Sequence, residues 1–218
     1  MQEQLKITGT IRAVLRDEDG RITYDNTFDN LVPNAGRQLV IDRLQGAGQA
    51  VADYVVIGTS NQAPAVGDTA LIAEVARGQG TLSQPDAHTD RVVHTFAAGV
   101  GTGDIAEFGR INAASGGVLM GRKALRTAIA SSSVANPCVI TTPVDHDFLT
   151  AQTVTISGHT GSTPDINGPH VCTKISPTSF SIPVNVTVGG TGGVAVSSIP
   201  KTPEASLQIE YNFAYAAG

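Results

Sequence analysis

The chain has 218 residues, of which 41% are hydrophobic and 15% charged, and it carries 24 glycines and 11 prolines. The hydrophobic fraction argues against intrinsic disorder, and the many glycines and prolines argue against a helical bundle because both residues break helices. The formal net charge of −5 leaves no basic excess to neutralise a phosphate backbone, so we expect no nucleic-acid partner. The opening MQEQLKITGT lacks the features of a secretory signal, and no apolar run is long enough to cross a bilayer. We therefore expect synthesis in the cytoplasm and no membrane partner.

The first predicted element is a β-hairpin. Apolar residues recur at even spacings through LKITGTIRAVLR, at Leu5, Ile7, Ile11 and Leu15, and the alternation resumes in ITYDNTF after the turn DEDG. A period of two places alternate side chains on one face of a strand. The segment therefore predicts two strands joined by a tight turn.

A helix of about three turns is predicted next, in NLVPNAGRQLVIDRL. Asn34 is a candidate N-cap, because its side chain can accept a hydrogen bond from a free backbone N–H of the first turn. Leu39, Val40 and Leu44 fall on roughly one face, and the glycine-rich QGAG that follows is a stop signal for the helix.

The segment VADYVVIGTS, rich in β-branched residues, predicts a buried strand. The loop NQAPAVG follows, and Asp68 is then a candidate cap for a second short helix that carries Leu71 and Val75 four residues apart. We expect one or two short helices in all.

Strand patterns dominate the remaining segments of this part of the chain. Arg91 to Phe96 alternates weakly, and IAEFGRINAASGGVLMGRKAL predicts two strands joined by a glycine-containing turn. The closing EASLQIEYNFAY has the strongest alternation in the sequence, with one apolar and one polar face. Its apolar positions are Leu207, Ile209, Tyr211, Phe213 and Tyr215.

A change in charge density marks an internal domain boundary. Residues 127–200 hold four of the 33 charged side chains, together with both cysteines and three of the five histidines. We therefore predict a mainly β protein in which residues 1–128 and 201–218 form an antiparallel β-sandwich host domain. Residues 129–200 are predicted to be a small β-domain inserted at a loop, because loop tips tolerate insertions.

Short β-rich runs separated by glycine, proline, aspartate and asparagine fill the inserted segment, and they predict a small antiparallel barrel or sandwich. Cys138 and Cys172 could form one disulfide. Because a cytoplasmic product usually keeps its thiols reduced, two small buried thiols are the favoured interpretation.

The densest acid and imidazole cluster is Asp145, His146 and Asp147. In a loop the three could converge on a cation, but a polar turn before Phe148 is the favoured interpretation. His159 and His170 are 11 residues apart with no cysteine pair nearby, and metal sites need three or four ligands at specific spacings. We predict no metal site.

Other candidates for chemistry are weak. GVGTGDIAEFG lacks the Lys-Ser/Thr of a phosphate loop, and Gly189–Gly193 is better explained as a wide turn than as a ligand cradle. No Gly-x-Ser-x-Gly occurs, so no serine nucleophile is indicated. Asp68, Glu74 and Glu107 could be paired carboxylates for glycoside hydrolysis, but nothing in the sequence brings them together. We predict no catalytic, cofactor-binding or metal-binding residues and no enzyme activity.

The host portion resembles small virion structural proteins of tailed bacteriophages. The motifs that carry the resemblance occur in order as NLV-x-NAGR, IGT-x-x-x-APA-x-GDTAL-x-x-E, E-x-G-x-x-N-AASGG and the closing SLQIEYNFAY. The inserted CVITTPVDHDFLTAQTVTISGHTGSTPDINGPHVCTKISPTSFSI is similar to a small β-domain of phage tail and other surface-exposed virion proteins. The resemblance implies an assembly role without cofactors.

We therefore expect a non-enzymatic structural component of a tailed-phage virion, on the tail side as a fibre, collar or fibre-attachment protein. A head decoration or cement protein on the capsid is the alternative. A carbohydrate-binding module that attaches to a host surface glycan is a third, and the absence of tryptophan counts against it. The expected partners are other virion proteins and further copies of the same chain.

Overall fold

This computed structural model describes residues 5–217. The predicted mainly β class is confirmed, because strands in antiparallel sheets dominate the described residues. The chain divides into two compact units: the first runs to Ala124 and resumes at Ile199, and the second is Leu125–Ser198. The segment predicted from composition, 129–200, begins four residues later and ends two residues later than the second unit. Within residues 5–217, no helix has the length and apolarity that a membrane span requires.

Strands make up most of both units. Up to Ala124 the elements in chain order are β1 (Leu5–Arg16), β2 (Ile22–Asp29), α1 (Asn34–Leu44), β3 (Tyr54–Gly58), β4 (Glu74–Gln79), β5 (Thr81–Asp86), β6 (Thr89–Phe96), β7 (Gly103–Ile105), β8 (Glu107–Ile111) and β9 (Leu119–Ala124). The second unit contains β10 (Arg126–Ala128), β11 (Ser131–Ser132), β12 (Cys138–Thr141), β13 (Thr153–Ser157), β14 (Gly168–Val171), β15 (Thr173–Ser176), β16 (Ser179–Ile182) and β17 (Val194–Val196). The chain closes with β18 (Ile199–Lys201) and β19 (Ser206–Ala217).

The first unit is a β-sandwich. A five-stranded sheet has the order β2-β1-β19-β6-β5, and a four-stranded sheet has the order β4-β3-β8-β9. Phe28 of the first sheet stacks on Phe108 of the second, with ring centroids 5.6 Å apart, and both rings are buried. The apolar inner faces of the two sheets therefore form one core.

The closing strand β19 is the centre of the larger sheet. It pairs with β1 from Leu5↔Ala217 to Arg16↔Ser206, and on its other side it pairs with β6. Leu207, Ile209 and Phe213 are completely buried, as the alternation predicts. The two predicted hairpins, β1–β2 and β8–β9, and the buried strand β3 are also confirmed.

The predicted second helix is wrong. Residues 59–73 form a loop, and Val75 lies in the edge strand β4. The Asp68 carboxylate does not cap a helix but accepts the Ala65 N–H at 2.8 Å, which closes a tight turn. Leu71 lies over Gly109 instead of on a helix face. Tertiary contacts here override a weak helical pattern.

The helix α1 has the predicted length but not the predicted cap. Pro33 occupies the N-cap position with no side-chain capping bond, and the Asn34 N–H donates to the Val66 carbonyl at 2.8 Å. Leu39 is buried, whereas Leu44 is 80% exposed. Two of the three apolar residues predicted to share a face, Leu39 and Leu44, therefore differ in burial.

The second unit has two four-stranded sheets, β10-β17-β13-β14 and β11-β12-β16-β15. The sheets do not close into a barrel, so the sandwich alternative describes this unit. Phe148, Phe180 and other apolar side chains form one buried cluster, in which Cys138 and Cys172 are free buried thiols. The disulfide alternative is therefore not the one found in the structure.

Candidate functional site

The most concentrated group of buried charges in the first unit surrounds Arg122 on β9. The Arg122 Nε donates to Glu107 Oε1 on β8 at 2.7 Å, and Nη2 lies 2.6 Å from the same oxygen. Nη1 donates to Asp68 Oδ2 at 2.6 Å. The Arg122 and Glu107 side chains are completely buried, and Asp68 is 13% exposed. We call these three residues the Arg122 cluster.

The Arg122 cluster holds the loop between β3 and β4, residues 59–73, which we call the β3–β4 loop. Glu107 accepts the Ile72 N–H at 2.9 Å and the Ala73 N–H at 3.1 Å. The Arg122 guanidinium also donates to the carbonyls of Gln62 and Ala63. Because both ends of the loop bond to groups on β8 and β9, the loop is fixed against the outer face of the four-stranded sheet.

Two glycines make room for this packing. A Cβ atom at Gly109 would lie 2.4 Å from Leu71 Cδ1, and one at Gly58 would lie 2.6 Å from the Ala73 carbonyl oxygen. Real Cβ atoms do not approach so closely. The glycines of IGT and E-x-G therefore permit close approach of the loop to the sheet.

The polar atoms of Arg122 and Glu107 have hydrogen-bond partners within the chain, so the Arg122 cluster offers no reactive group. A guanidinium carries five N–H donors, and the acceptors around Arg122 engage all three of its nitrogens. Both Glu107 oxygens also accept hydrogen bonds. A general acid or base needs a proton site that a substrate can reach, and the buried Glu107 has none.

The three carboxylates considered for glycoside hydrolysis all form ion pairs with arginines. The structure brings Asp68 and Glu107 together, although no sequence pattern indicated this, and it does so around an arginine. Glu74 belongs to a different pair: Arg77 binds it through Nε and Nη2 at 2.8 and 2.7 Å. The Glu74 carboxylate raises the pKa of Arg77, whose Nη1 also donates to the carbonyls of Ala113 and Gly116 in the β8–β9 turn.

The histidine of the acidic cluster in the second unit is structural. His146 is buried, and its Nε2 lies 3.0 Å from the Ser176 carbonyl and 3.2 Å from that of Ser179. Its Nδ1 accepts the Phe148 N–H at 3.0 Å, so the ring is a neutral tautomer protonated at Nε2. Burial lowers the pKa of His146. In residues 5–217, no three His, Cys, Asp or Glu side chains lie together as a metal site.

One arrangement shows no pattern in the sequence, because its members are far apart in the chain. His159 Nε2 lies 2.9 Å from Ser132 Oγ, and its Nδ1 lies 2.8 Å from the Gly192 carbonyl, which is the geometry of a base and a serine nucleophile. Both side chains are buried, however, and Ser132 Oγ accepts the Gly190 N–H at 2.8 Å. The pair fixes the glycine-rich turn at 189–193, and no signal in the sequence links these positions.

The remaining candidates are also parts of the scaffold. His170 Nε2 bonds the Ile166 carbonyl at 2.8 Å, which closes a local turn. GVGTGDIAEFG runs through β7 into β8 and connects strands. A polar groove of about 250 Å³ is lined by Thr8, Thr10, Pro85, Asp86, Thr89, Arg91, Asn212 and Ala214. None of these residues is aromatic, so the groove lacks the stacking platform that sugar sites usually use.

No protein-family model matches the chain, and no curated protein matches its sequence. Function is therefore inferred from the residues and their geometry. The Arg122 cluster and the β3–β4 loop it holds are the arrangement on which that inference rests.

Proposed function

We propose that this chain is a non-enzymatic structural protein of a tailed-phage virion, on the tail side as a fibre, collar or fibre-attachment component. The observation that carries the proposal is the β3–β4 loop. It has 15 residues without helix or strand, yet hydrogen bonds to the charged side chains of Glu107 and Arg122 tie it to β8 and β9. Long irregular loops in compact domains are usually functional.

A loop fixed in advance is suited to assembly. Docking a flexible loop costs the entropy of ordering it, and a loop that is already ordered avoids most of that cost. The β3–β4 loop also exposes apolar side chains: Val66 is 52% exposed and Ile72 is 51% exposed. We propose that these side chains are buried against a neighbouring virion subunit, most simply a further copy of this chain.

The state of the titratable side chains supports a structural role. Glu107, Arg122, His146 and His159 each use their polar atoms to bond the chain itself. Such groups stabilise a fold and position loops, whereas a catalytic group must present a proton or a lone pair to substrate. This supports assignment to an assembly module rather than to an enzyme.

The test replaces Ile72 with lysine and measures incorporation of the protein into purified particles by quantitative mass spectrometry. The matched control is Ile22→Lys, because Ile22 is 50% exposed and lies in β2, outside the loop. We expect both variants to fold, and we expect only Ile72→Lys to be depleted from particles. Equal incorporation of the two variants would refute a docking role for the loop.

A further inference from the structure

The first unit contains a cavity of about 320 Å³ between helix α1 and the sandwich. Its apolar wall includes Leu39 and Val40 of α1 and Met120 of β9. Leu44 and Val51 also line it, and they are 80% and 38% exposed. The cavity is therefore apolar within and has exposed apolar side chains at its margin, which is the usual make-up of a small-molecule site.

A buried arginine forms part of the polar wall. Arg110 is completely buried; its Nε donates to the Ala52 carbonyl at 2.5 Å and its Nη2 to Asp90 Oδ2 at 2.7 Å. Its Nη1 is buried and has no hydrogen-bond partner among the described residues. A buried donor without an acceptor costs free energy, so an acceptor that reaches it is bound more strongly than in water.

The charges around the cavity favour an anion. Arg43 and Arg110 line it with one acidic residue, Asp90, although the whole chain has a net charge of −5. Arg43 is held in place by a 2.6 Å hydrogen bond from its Nη1 to the Gln49 carbonyl. Tyr215 also lines the cavity; a phenol is protonated at neutral pH and can donate to an anion, and burial raises the pKa of Tyr215 further.

We propose that this cavity binds a small amphipathic monocarboxylate, with its carboxylate beside Arg110 and Arg43 and its alkyl chain between α1 and Met120. This inference is independent of the proposed virion role, because it uses neither the β3–β4 loop nor the Arg122 cluster. A compact apolar body suits the aliphatic lining, and a single negative charge matches the local excess of one positive charge.

Octanoate is the probe, and the methyl group of Met120 is the reporter. The chain has two methionines, so a spectrum of ¹³C-methyl-methionine protein is simple to assign with a Met120→Leu variant. We expect octanoate to shift the Met120 resonance in a saturable manner. We expect octanol, which has the same chain without the charge, to bind about tenfold more weakly, because a hydrogen bond to a charged group is lost.

Two variants test the role of the arginines. Arg43→Gln should weaken octanoate binding about threefold, as for a partly exposed ion pair, and Arg37→Gln is the matched control on the same helix outside the cavity. Arg110→Gln should abolish the preference for octanoate over octanol, and the tyrosine fluorescence of this variant reports whether it is folded. Absence of a saturable Met120 shift, equal binding of octanol, or unchanged affinity in Arg43→Gln would each overturn the proposal.

Discussion

Replacing Glu107 with glutamine tests whether the Arg122 cluster stabilises the β3–β4 loop. The substitution keeps the shape of the side chain but removes its charge, which leaves the buried Arg122 with Asp68 as its one acidic partner in the cluster. Breaking a buried ion pair by removing one partner costs about 3–5 kcal/mol. An amide also has one acceptor oxygen, so either the Ile72 or the Ala73 N–H would face an NH₂ group. We therefore expect a loss of about 4 kcal/mol.

Tyrosine fluorescence during urea unfolding measures this loss in the first unit alone. All four tyrosines, Tyr24, Tyr54, Tyr211 and Tyr215, lie in that unit, and the chain has no tryptophan. The control is Asp25→Asn, which breaks an exposed pair with Arg12 at 2.6 Å and should cost less than about 1 kcal/mol.

Hydrogen exchange distinguishes a local effect from a global one. In Glu107→Gln, the Ile72 and Ala73 amides should exchange faster than the amides of β19 under native conditions, because the loop loses its anchor before the sheet unfolds. A stability loss below about 1 kcal/mol, or unchanged exchange at these two amides, would refute the argument that the cluster holds the loop.

Packing and burial lead to four further predictions. Phe213→Ala should cost about 3–5 kcal/mol in the same urea assay, because the ring is completely buried in β19; an unchanged midpoint would place it outside the core. Deleting residues 126–198 and closing the gap with a short Gly/Ser linker should leave cooperative unfolding by tyrosine fluorescence, because the Ser197 N–H donates to the Leu125 carbonyl at 2.9 Å and the two ends are adjacent. The folded-state pKa of His146 lies below the usual 6.5, so the unfolded chain takes up the proton first. The second unit should therefore lose stability as the pH falls below 6.5, by up to about 1.4 kcal/mol per pH unit. Hydrogen exchange of the Phe148 amide measures this loss, and the stability of a His146→Gln variant should depend less on pH. Burial raises the pKa of the Cys138 and Cys172 thiols, so a thiol reagent should react with both in urea and with neither in the native protein.

The strands were predictable where burial leaves a pattern in the sequence, either apolar alternation or, as in the fully buried β3, a run of β-branched residues. β19 is the clearest case, because its alternation corresponds directly to burial in the centre of a sheet. The edge strands β4 and β5 were not predicted, because none of their residues is buried and they show no apolar alternation. Periodicity reports burial, so a strand with little burial leaves little pattern.

The Arg122 cluster was not predictable from local pattern, because its members come from a loop and two strands that are distant in sequence. Asp68 and Arg122 are 54 residues apart, and their pairing depends on the hairpin register that places Arg122 opposite Gly109. The motifs GDTAL and E-x-G did contain the relevant residues. Their physical meaning, an anchored loop over two glycines, required the three-dimensional arrangement.

The same limit explains the errors at the helices. A capping preference at Asn34 and Asp68 is worth about 1 kcal/mol, and a few tertiary contacts outweigh it. Pro33 is at the cap position of α1, and the Arg122 cluster determines the path of the chain at Asp68.

The central claim, the proposed role as a tail component of a phage virion, is tested most directly by the copy number of this protein in purified particles. The copy number is measured by quantitative mass spectrometry against the major capsid protein of the same particle. For a tail component we expect a total of about three to a few dozen copies per particle, as in a closed symmetric assembly. A ratio near one copy per capsid subunit would contradict the tail location and identify a head decoration protein, and absence from the particle would contradict the virion role.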